Sequence, residues 1–338
     1  MNSTKLLTIA IPTYNRAQSL DKQIAWLIEA IKGFETECEI LVSDNCSTDN
    51  TPEIVKKWQS QVSNITFRYN RNKENLGVLK NITYCLKAAT TKYVWTIGDD
   101  DPIQTRAVSY VLKRVKEKED ISLIFLNFSG RNQITGEDVH PPTIVGNRWF
   151  DANADDGNGD SKAIYQHCFE KSIGAVIFLT ATIYKTESVK QALLYWPEAE
   201  NNWIFLAYLA GYCAARGRII VTTDNFMECV VGVSYWQKEP KSALLMQYKD
   251  MPEVIIKLEE TGYSKQFCRR MILHSFKEAN LKVLLGALRR WPIYTLKIVI
   301  PFWGLVAVSA LQLIKLNNKF NKIPLEVSDS LDKSQVNV

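Results

Sequence analysis

Three carboxylates in succession, Asp99, Asp100 and Asp101, follow Gly98 at the end of the apolar run YVWTI. Adjacent carboxylates repel one another, and gathering them is costly unless a cation compensates. In extended backbone alternate side chains share a face, so Asp99 and Asp101 can point one way while Asp100 points the other. A Mg²⁺ or Mn²⁺ held by that pair would bridge two phosphate oxygens and neutralise charge on a departing diphosphate. The competing reading is an acidic helix start, with Asp101 capping the helix that Pro102 opens. Two other loops bear on the choice. Pro12-Thr13-Tyr14-Asn15-Arg16 offers backbone N–H groups, a hydroxyl and an aromatic face, and Asp44-Asn45-Cys46-Ser47-Thr48-Asp49 offers a carboxylate able to accept from a base N–H. Each alone is ordinary turn and capping chemistry. With the acids, they compose a nucleotide-diphosphate site.

These loops need a scaffold that brings them to one edge. Leu6 to Ile11 reads as a strand, and Leu20, Ile24, Leu27, Ile28 and Ile31 follow at helical spacing. Strands at Glu39–Val42, Ile65–Tyr69, Tyr93–Ile97 and Ile121–Phe128 alternate with helices opened near Pro52, before Leu79 and at Pro102. This rhythm predicts an α/β fold with a mostly parallel sheet flanked by helices. Ligands bind such sheets beyond the carboxyl ends of the strands, which is where all three loops fall. Ser129 to Ser161 reads as a loop. Pattern returns with Val176–Lys185, a helix from about Asn202, a strand from Arg218 and helices over about 241–288.

The motifs TIAIPTYNR, EILVSDNCSTDNT, NKENLGVLKN and YVWTIGDDD, in this order and spacing over the first 128 residues, resemble glycosyltransferase family 2, with its GT-A, Rossmann-like fold. The likeness is closest to bacterial surface-polysaccharide and O-antigen type sugar transferases. It implies that Pro12, Thr13, Tyr14, Asn15 and Asp44 contact the nucleoside, and that Asn75, Gly77 and Lys80 lie near the donor. Asp99 and Asp100 would border the donor, and Asp99 and Asp101 would hold Mn²⁺ or Mg²⁺, with Asp101 the more direct ligand. The implied reaction inverts the anomeric carbon in one displacement, which requires a base for the acceptor hydroxyl. The family supplies it as the second acid of a Glu-Asp pair before a helix ending in Ala-Gly. Counting back from Ala210-Gly211 puts Glu200 there and Ala199 at its partner, so the pair is incomplete; Glu198 is the substitute. Glu200 also suits a plain helix start.

Composition narrows the setting. Seven scattered cysteines with no CxxC spacing argue against zinc and disulfides, as in a reducing compartment. Pro12 cuts the first apolar run short, so no signal peptide is expected, and the sequons at Asn64, Asn81 and Asn127 are then accidental. Ten of the 41 Lys and Arg, but only one of the 36 Asp and Glu, fall between Arg269 and Lys322. That segment is also apolar: Ile298 to Ile314 holds 17 residues without a charge. Basic and apolar together point to anionic lipid rather than nucleic acid. Seventeen residues are the lower limit for a span, so a re-entrant or in-plane segment competes with one. The expected organisation is a GT-A domain over 1–225, a helical extension over 226–288, a membrane-associated segment over 289–322 and a polar tail over 323–338. The expected partners are a nucleotide-sugar donor, a saccharide or lipid-linked saccharide acceptor and the cytoplasmic face of a membrane. Two alternatives stand beside this: a donor-binding scaffold whose base has decayed, and a metal-dependent nucleotidyl transferase, which the net negative charge of the catalytic half disfavours. The three histidines share no spacing that suggests catalysis.

Overall fold

The computed structural model describes residues 5–132, 135–139, 149–150, 159–231 and 241–320. Most of the stretch expected as a loop after Ser129, and the tail from 323, lie outside the described residues. The first half alternates as the sequence predicts: β1 (Leu7–Thr13), α1 (Ala17–Ile31), β2 (Cys38–Asp44), α2 (Thr51–Gln61), β3 (Thr66–Arg71), α3 (Val78–Ala88), β4 (Tyr93–Thr96), α4 (Arg106–Glu117) and β5 (Ile121–Asn132). A two-residue β6 (Asp138–Val139) follows, then α5 (Ser161–Lys171), α6 (Ile173–Val176), β7 (Thr182–Lys185), α7 (Thr186–Tyr195), α8 (Phe205–Ala214) and β8 (Arg218–Val231). The chain then turns wholly helical: α9 (Ser242–Leu245), α10 (Met251–Glu260), α11 (Lys265–Lys277), α12 (Leu281–Arg290) and α13 (Pro292–Phe320).

The strands form one sheet in the order β3-β2-β1-β4-β7-β5-β6, with β8 pairing β5. Neighbours among β1 to β4 are parallel, as are β5 and β8; β7 runs antiparallel to both β4 and β5. Leu7, Ile9 and Ile11 of β1 are fully buried, and so are Ile40 and Val42 of β2, because helices cover both faces. Leu20, Ile24, Leu27 and Ile31 of α1 and Val108, Val111, Leu112 and Val115 of α4 supply that cover at helical spacing. The fold class is the expected one. β5 extends four residues beyond the predicted strand, where Gly130 and Arg131 pair with β6.

The boundary expected at 225 falls inside β8. Helices α10 and α11 are also not an appended unit, since Val254, Ile255, Leu258, Phe267 and Ile272 join the main core. Their anchor is α8, all ten residues of which are buried. Gly211 makes the close approach possible, because a Cβ there would strike Leu258 and the Tyr165 ring. Tyr263 Oη then donates to the Gly211 carbonyl at 2.8 Å, and Tyr165 Oη to that of Ala207 at 2.6 Å. Only α12 and α13, with Leu244 and Tyr248, build a second, smaller core.

Candidate donor and metal site

Register puts the three predicted loops on one edge. Thr13, the last residue of β1, sits opposite Asp44, the last of β2, and Ala10 sits opposite Thr96, the last of β4. The first two loops are strained at non-glycine positions: Asn15 has φ 52° and Cys46 φ 68°. Mutual hydrogen bonds hold them there. Asn15 N donates to Ser47 Oγ at 2.9 Å, and Asn15 Oδ1 accepts from Thr48 N at 2.7 Å. Asp49 accepts from Ala17 N at 3.0 Å, tying the second loop to the start of α1. Asp44 is fully buried and already engaged, accepting from Ser47 N of its own loop and from Tyr69 Oη of β3 at 2.8 Å each, with Arg71 Nε of β3 at 3.5 Å. It is Asn45, one residue on, that lines the cleft.

Asparagines set the third wall. Asn45 Nδ2 donates to Asn75 Oδ1 at 2.7 Å, and Gly77 N donates to the same oxygen at 2.9 Å. Gly77, with φ 85°, then starts α3. Asn81 reaches back, accepting from Ser43 Oγ at 2.7 Å. Asn81 and Asn127 are both buried, so neither is placed to accept a glycan. The cleft thus gathers Pro12, Thr13, Tyr14, Asn45, Asn81, Asp99 and Asp100. Lys80 is exposed and outside it.

The acids do not alternate as extended backbone would have them. Asp99 accepts from Thr13 Oγ1 at 2.7 Å and from Arg16 Nη1 at 2.8 Å, and Asp100 takes Arg16 Nη2 at 2.6 Å. Asp101 folds back over Gly98, where a Cβ would strike its carboxylate. It accepts from Thr180 Oγ1 at 2.5 Å and from Val230 N at 3.5 Å. Asp99 and Asp100 therefore share the cleft face, and Asp101 is sealed behind them. The chain leaves extended geometry at Gly98, which is the physical reason. Arg16 and Thr180 are the residues that sequence reasoning did not single out. Arg16 stands inside the Pro-Thr-Tyr-Asn-Arg motif and carried a signal; Thr180, some 80 positions away, carried none.

Charge is out of balance here. Burial, outweighing the Arg16 attraction and aided by the Asp100 charge, pushes Asp99 up to about 6. Burial, with Asp100 next, pushes Asp101 up to about 7. Burial opposes the charge on Arg16, but Asp99 and Asp100 outweigh it and raise its pKa. Three carboxylates with one guanidinium form an all-oxygen donor set lacking positive charge, which suits a hard divalent cation. Among the described residues no group of three or more His, Cys, Asp or Glu could hold a metal alone. A cation here would thus complete its shell from phosphate and water, as Mg²⁺ commonly does.

Neither expected base lines the donor cleft. Glu200, in a 3-10 turn over Pro197–Asn201, faces Lys87 at 3.5 Å. Lys87 is in the last turn of α3, whereas Val78, Asn81 and Ile82 of the cleft are among its first five residues. Glu198 borders a different cavity, with Lys249 and Glu253. The chain between the 3-10 turn and α8 does not carry either acid to the cleft, because Asn202 and Trp203 are bonded instead to Asp250. Beside the cleft lies an apolar cavity of about 450 Å³, bounded by Val78, Ile82 and Leu179, which it shares, and by Phe178, Trp203 and Phe205.

Residues 8–169 match the model of the family described as "Glycosyl transferase family 2". Abequosyltransferase RfbV of Salmonella typhimurium is 28% identical over 187 residues, 54% of this chain and 53% of that protein. A GalNAc(5)-diNAcBac-PP-undecaprenol beta-1,3-glucosyltransferase of Campylobacter jejuni is 30% identical over 115 residues, 33% of this chain and 35% of its own. The chain thus spans about half, or less, of the curated relatives it matches. Among solved structures, S. aureus TarS 1-349 in complex with UDP aligns at TM-score 0.61 and 16% identity, covering 98% of each chain. Mannosyltransferase PcManGT from Pyrobaculum calidifontis, in complex with GDP-Man and Mn²⁺, aligns at 0.54 and 15%, covering 94% of this chain and 88% of that one. At these identities the two structures establish a shared GT-A-like fold.

Proposed function

Through residues 8–169 the chain is a member of glycosyl transferase family 2, and from that premise we propose that it transfers a sugar from a nucleotide-sugar donor to a saccharide or lipid-linked saccharide, with inversion, in cell-surface polysaccharide synthesis. The observation that carries this is the shared edge of β1, β2 and β4, where the Pro-Thr-Tyr loop, Asn45 and the acids enclose one cleft. Nucleoside and ribose would lie along Pro12, Thr13, Tyr14 and Asn45, and the diphosphate would reach the acids. Asp99, with Asp100 beside it and Asp101 on turning from Thr180, would hold Mn²⁺ or Mg²⁺. Bound there, the cation would neutralise the departing diphosphate. Arg16 holds Asp99 and Asp100 apart from one another's charge and sits where a phosphate would approach. The strained loops fix the donor-facing groups before donor arrives, so less ordering is needed on binding.

The acceptor would enter from the apolar cavity, whose wall at Val78, Ile82 and Leu179 is common to both spaces. Phe178 and Trp203 offer ring faces suited to the apolar face of a sugar. A membrane setting follows from a lipid-linked acceptor and from α13, whose stretch Pro292–Lys315 has mean hydropathy 1.8 and is 17% buried. We place the enzyme at the cytoplasmic face.

One observation favours a second reading: with Glu198 and Glu200 away from the cleft, a donor-binding module without transfer activity would look the same. Incubating the full chain with UDP-, GDP-, CMP- and dTDP-sugars and Mn²⁺ separates them. Metal-stimulated release of nucleotide supports a transferase. Thermal stabilisation by donor without any release supports the module, and stabilisation by no donor overturns both.

A further inference from the structure

From Pro292 to Lys315, α13 carries two unlike faces. One is a seam at Thr295, Val299, Phe302 and Ser309, all buried at heptad-like spacing. Phe302 meets Tyr248 at 5.5 Å between ring centroids and Phe276 at 6.3 Å. Further along, Leu305 and Val306 pack on the main core, and Arg269 of α11 donates to Gln312 at 2.5 Å. The body of the protein therefore grips α13 from Thr295 to Gln312.

The opposite face should be polar if water covered it. Instead Ile293, Leu296, Ile300, Trp303, Leu311 and Ile314 are between 43% and 71% exposed. On the neighbouring α12, Leu281 and Leu285 are 63% and 57% exposed. Contiguous apolar surface of this kind marks a docking face.

We infer that this outer face of α12 and α13 lies in the plane of an anionic bilayer surface, and that α13 does not cross the membrane. The inference deepens the membrane setting proposed above and rests on it. Three observations select the orientation. Crossing would strip α13 from α11 and empty the small core around Phe302. The segment Pro292–Lys315 is long enough to cross, but Lys297 stands within it, and the uncharged stretch of 17 residues is about 25 Å long against a hydrocarbon core of about 30 Å. Finally, Lys282, Arg289, Arg290, Lys297 and Lys315 are exposed at both ends of that stretch. A span would divide them between two compartments; an in-plane helix keeps them together at one headgroup layer, where their stems snorkel. The same charges argue against a second copy as the cover, because cation would meet cation with only Glu278 to compensate.

The test uses the full chain with sealed vesicles of phosphatidylcholine, with and without phosphatidylglycerol. Wild-type chain should float with the anionic vesicles. Ile300→Glu with Leu311→Glu should abolish flotation, and Arg289→Ala with Arg290→Ala should weaken it about tenfold or more in a salt-dependent way. In separate variants, Arg290→Cys and Lys315→Cys should both react with an impermeant maleimide added outside. Protection of Lys315→Cys until detergent is added would mean a span and overturn the inference. So would undiminished flotation of the double glutamate variant, or a wild-type dimer that ignores vesicles and is split by the same substitutions. A donor-induced thermal shift lost only in the glutamate variant would make the face part of the fold, again overturning it. Wild-type chain that floats yet shows no donor shift would sink the donor reading and leave the membrane seat standing.

Discussion

The strand-end edge and the α12–α13 face depart from ordinary burial in opposite senses. At the first, Asp99 and Asp101 are 4% and 7% exposed although each prefers water. At the second, Ile293 and Leu311 are 71% and 61% exposed although each prefers the core. Folding alone favours neither arrangement: buried carboxylates in excess of their cations and exposed apolar surface both cost free energy. Each departure identifies the chemistry of what is missing, positive charge at one and hydrocarbon at the other. The π-helical segment Met246–Asp250 links the α12–α13 core to the apolar cavity beside the cleft, since Met246 borders that cavity and Tyr248 packs on Phe302.

The largest effect should come from the acids. Asp99→Asn should lower metal-stimulated turnover about 10³-fold, in the range seen when a group stabilising transition-state charge is removed. Its effect on the donor-free fold should have the opposite sign. Both Asp99 and Asp101 have folded-state pKa values raised above 3.8, to about 6 and about 7. The native state then holds protons that the unfolded chain has released, so stability falls as pH rises from about 4 through 7. Urea midpoints without metal should therefore be higher at pH 5 than at pH 7.5, and Asp99→Asn should reduce that difference. A variant less stable than wild type at pH 7.5 would mean that Arg16 and Thr13 fully offset the buried charge.

Next in size is the donor itself. Cognate donor with Mn²⁺ at about 100 times its Kd should add about 2.7 kcal/mol. Asp101→Asn should diminish that gain, read as a smaller shift of the thermal midpoint, if Asp101 leaves Thr180 to join the cation. An unchanged gain would leave Asp101 as a structural group. At the other region, Ile300→Glu with Leu311→Glu should leave donor hydrolysis within about twofold while transfer to a vesicle-anchored acceptor falls about tenfold. Equal losses in the two assays would show that the regions are one cooperative unit. Substitution is the sharper tool here than truncation, because a chain cut after Lys282 would lose most of the small core and bare Leu244 and Tyr248.

Much of this was legible in the sequence. The βα rhythm and the three strand-end motifs gave the sheet, the cleft and its nucleoside wall, because period and strand-end position are local properties. What was not legible depends on contacts made across the chain. Asp101 turns away because Thr180 and Val230 receive it, and neither is near in sequence. α10 belongs to the main core because Gly211 admits Leu258, a pairing no local pattern announces. The mode of membrane contact is illegible for a related reason: hydropathy picks out 17 uncharged residues but not which of them face α11.

The smallest effect is expected where counting by motif promised one of the largest. A general base contributes about 10²–10⁴ to rate, so Glu200→Gln would be severe if Glu200 took the acceptor proton. That role requires reach of about 3 Å to the acceptor hydroxyl, directly or through one water. Glu200 instead faces Lys87, in the last turn of α3, while the donor cleft is walled by Val78, Asn81 and Ile82 in the first half of that helix. Ile82, the lining residue of α3 nearest to Lys87, is five residues before it, or about 7.5 Å of helix. The pair is 3.5 Å apart, with side chains 52% and 27% exposed for Lys87 and Glu200. Such pairs contribute about 0–1 kcal/mol to stability, less at high salt. Glu200→Gln should therefore shift the unfolding midpoint barely and leave kcat within about twofold, and Glu198→Gln should do the same. A hundredfold fall in kcat at Glu200→Gln, with donor binding intact, would mean that the 3-10 turn swings to the cleft during turnover. That result would restore Glu200 as the base and make the turn a moving part.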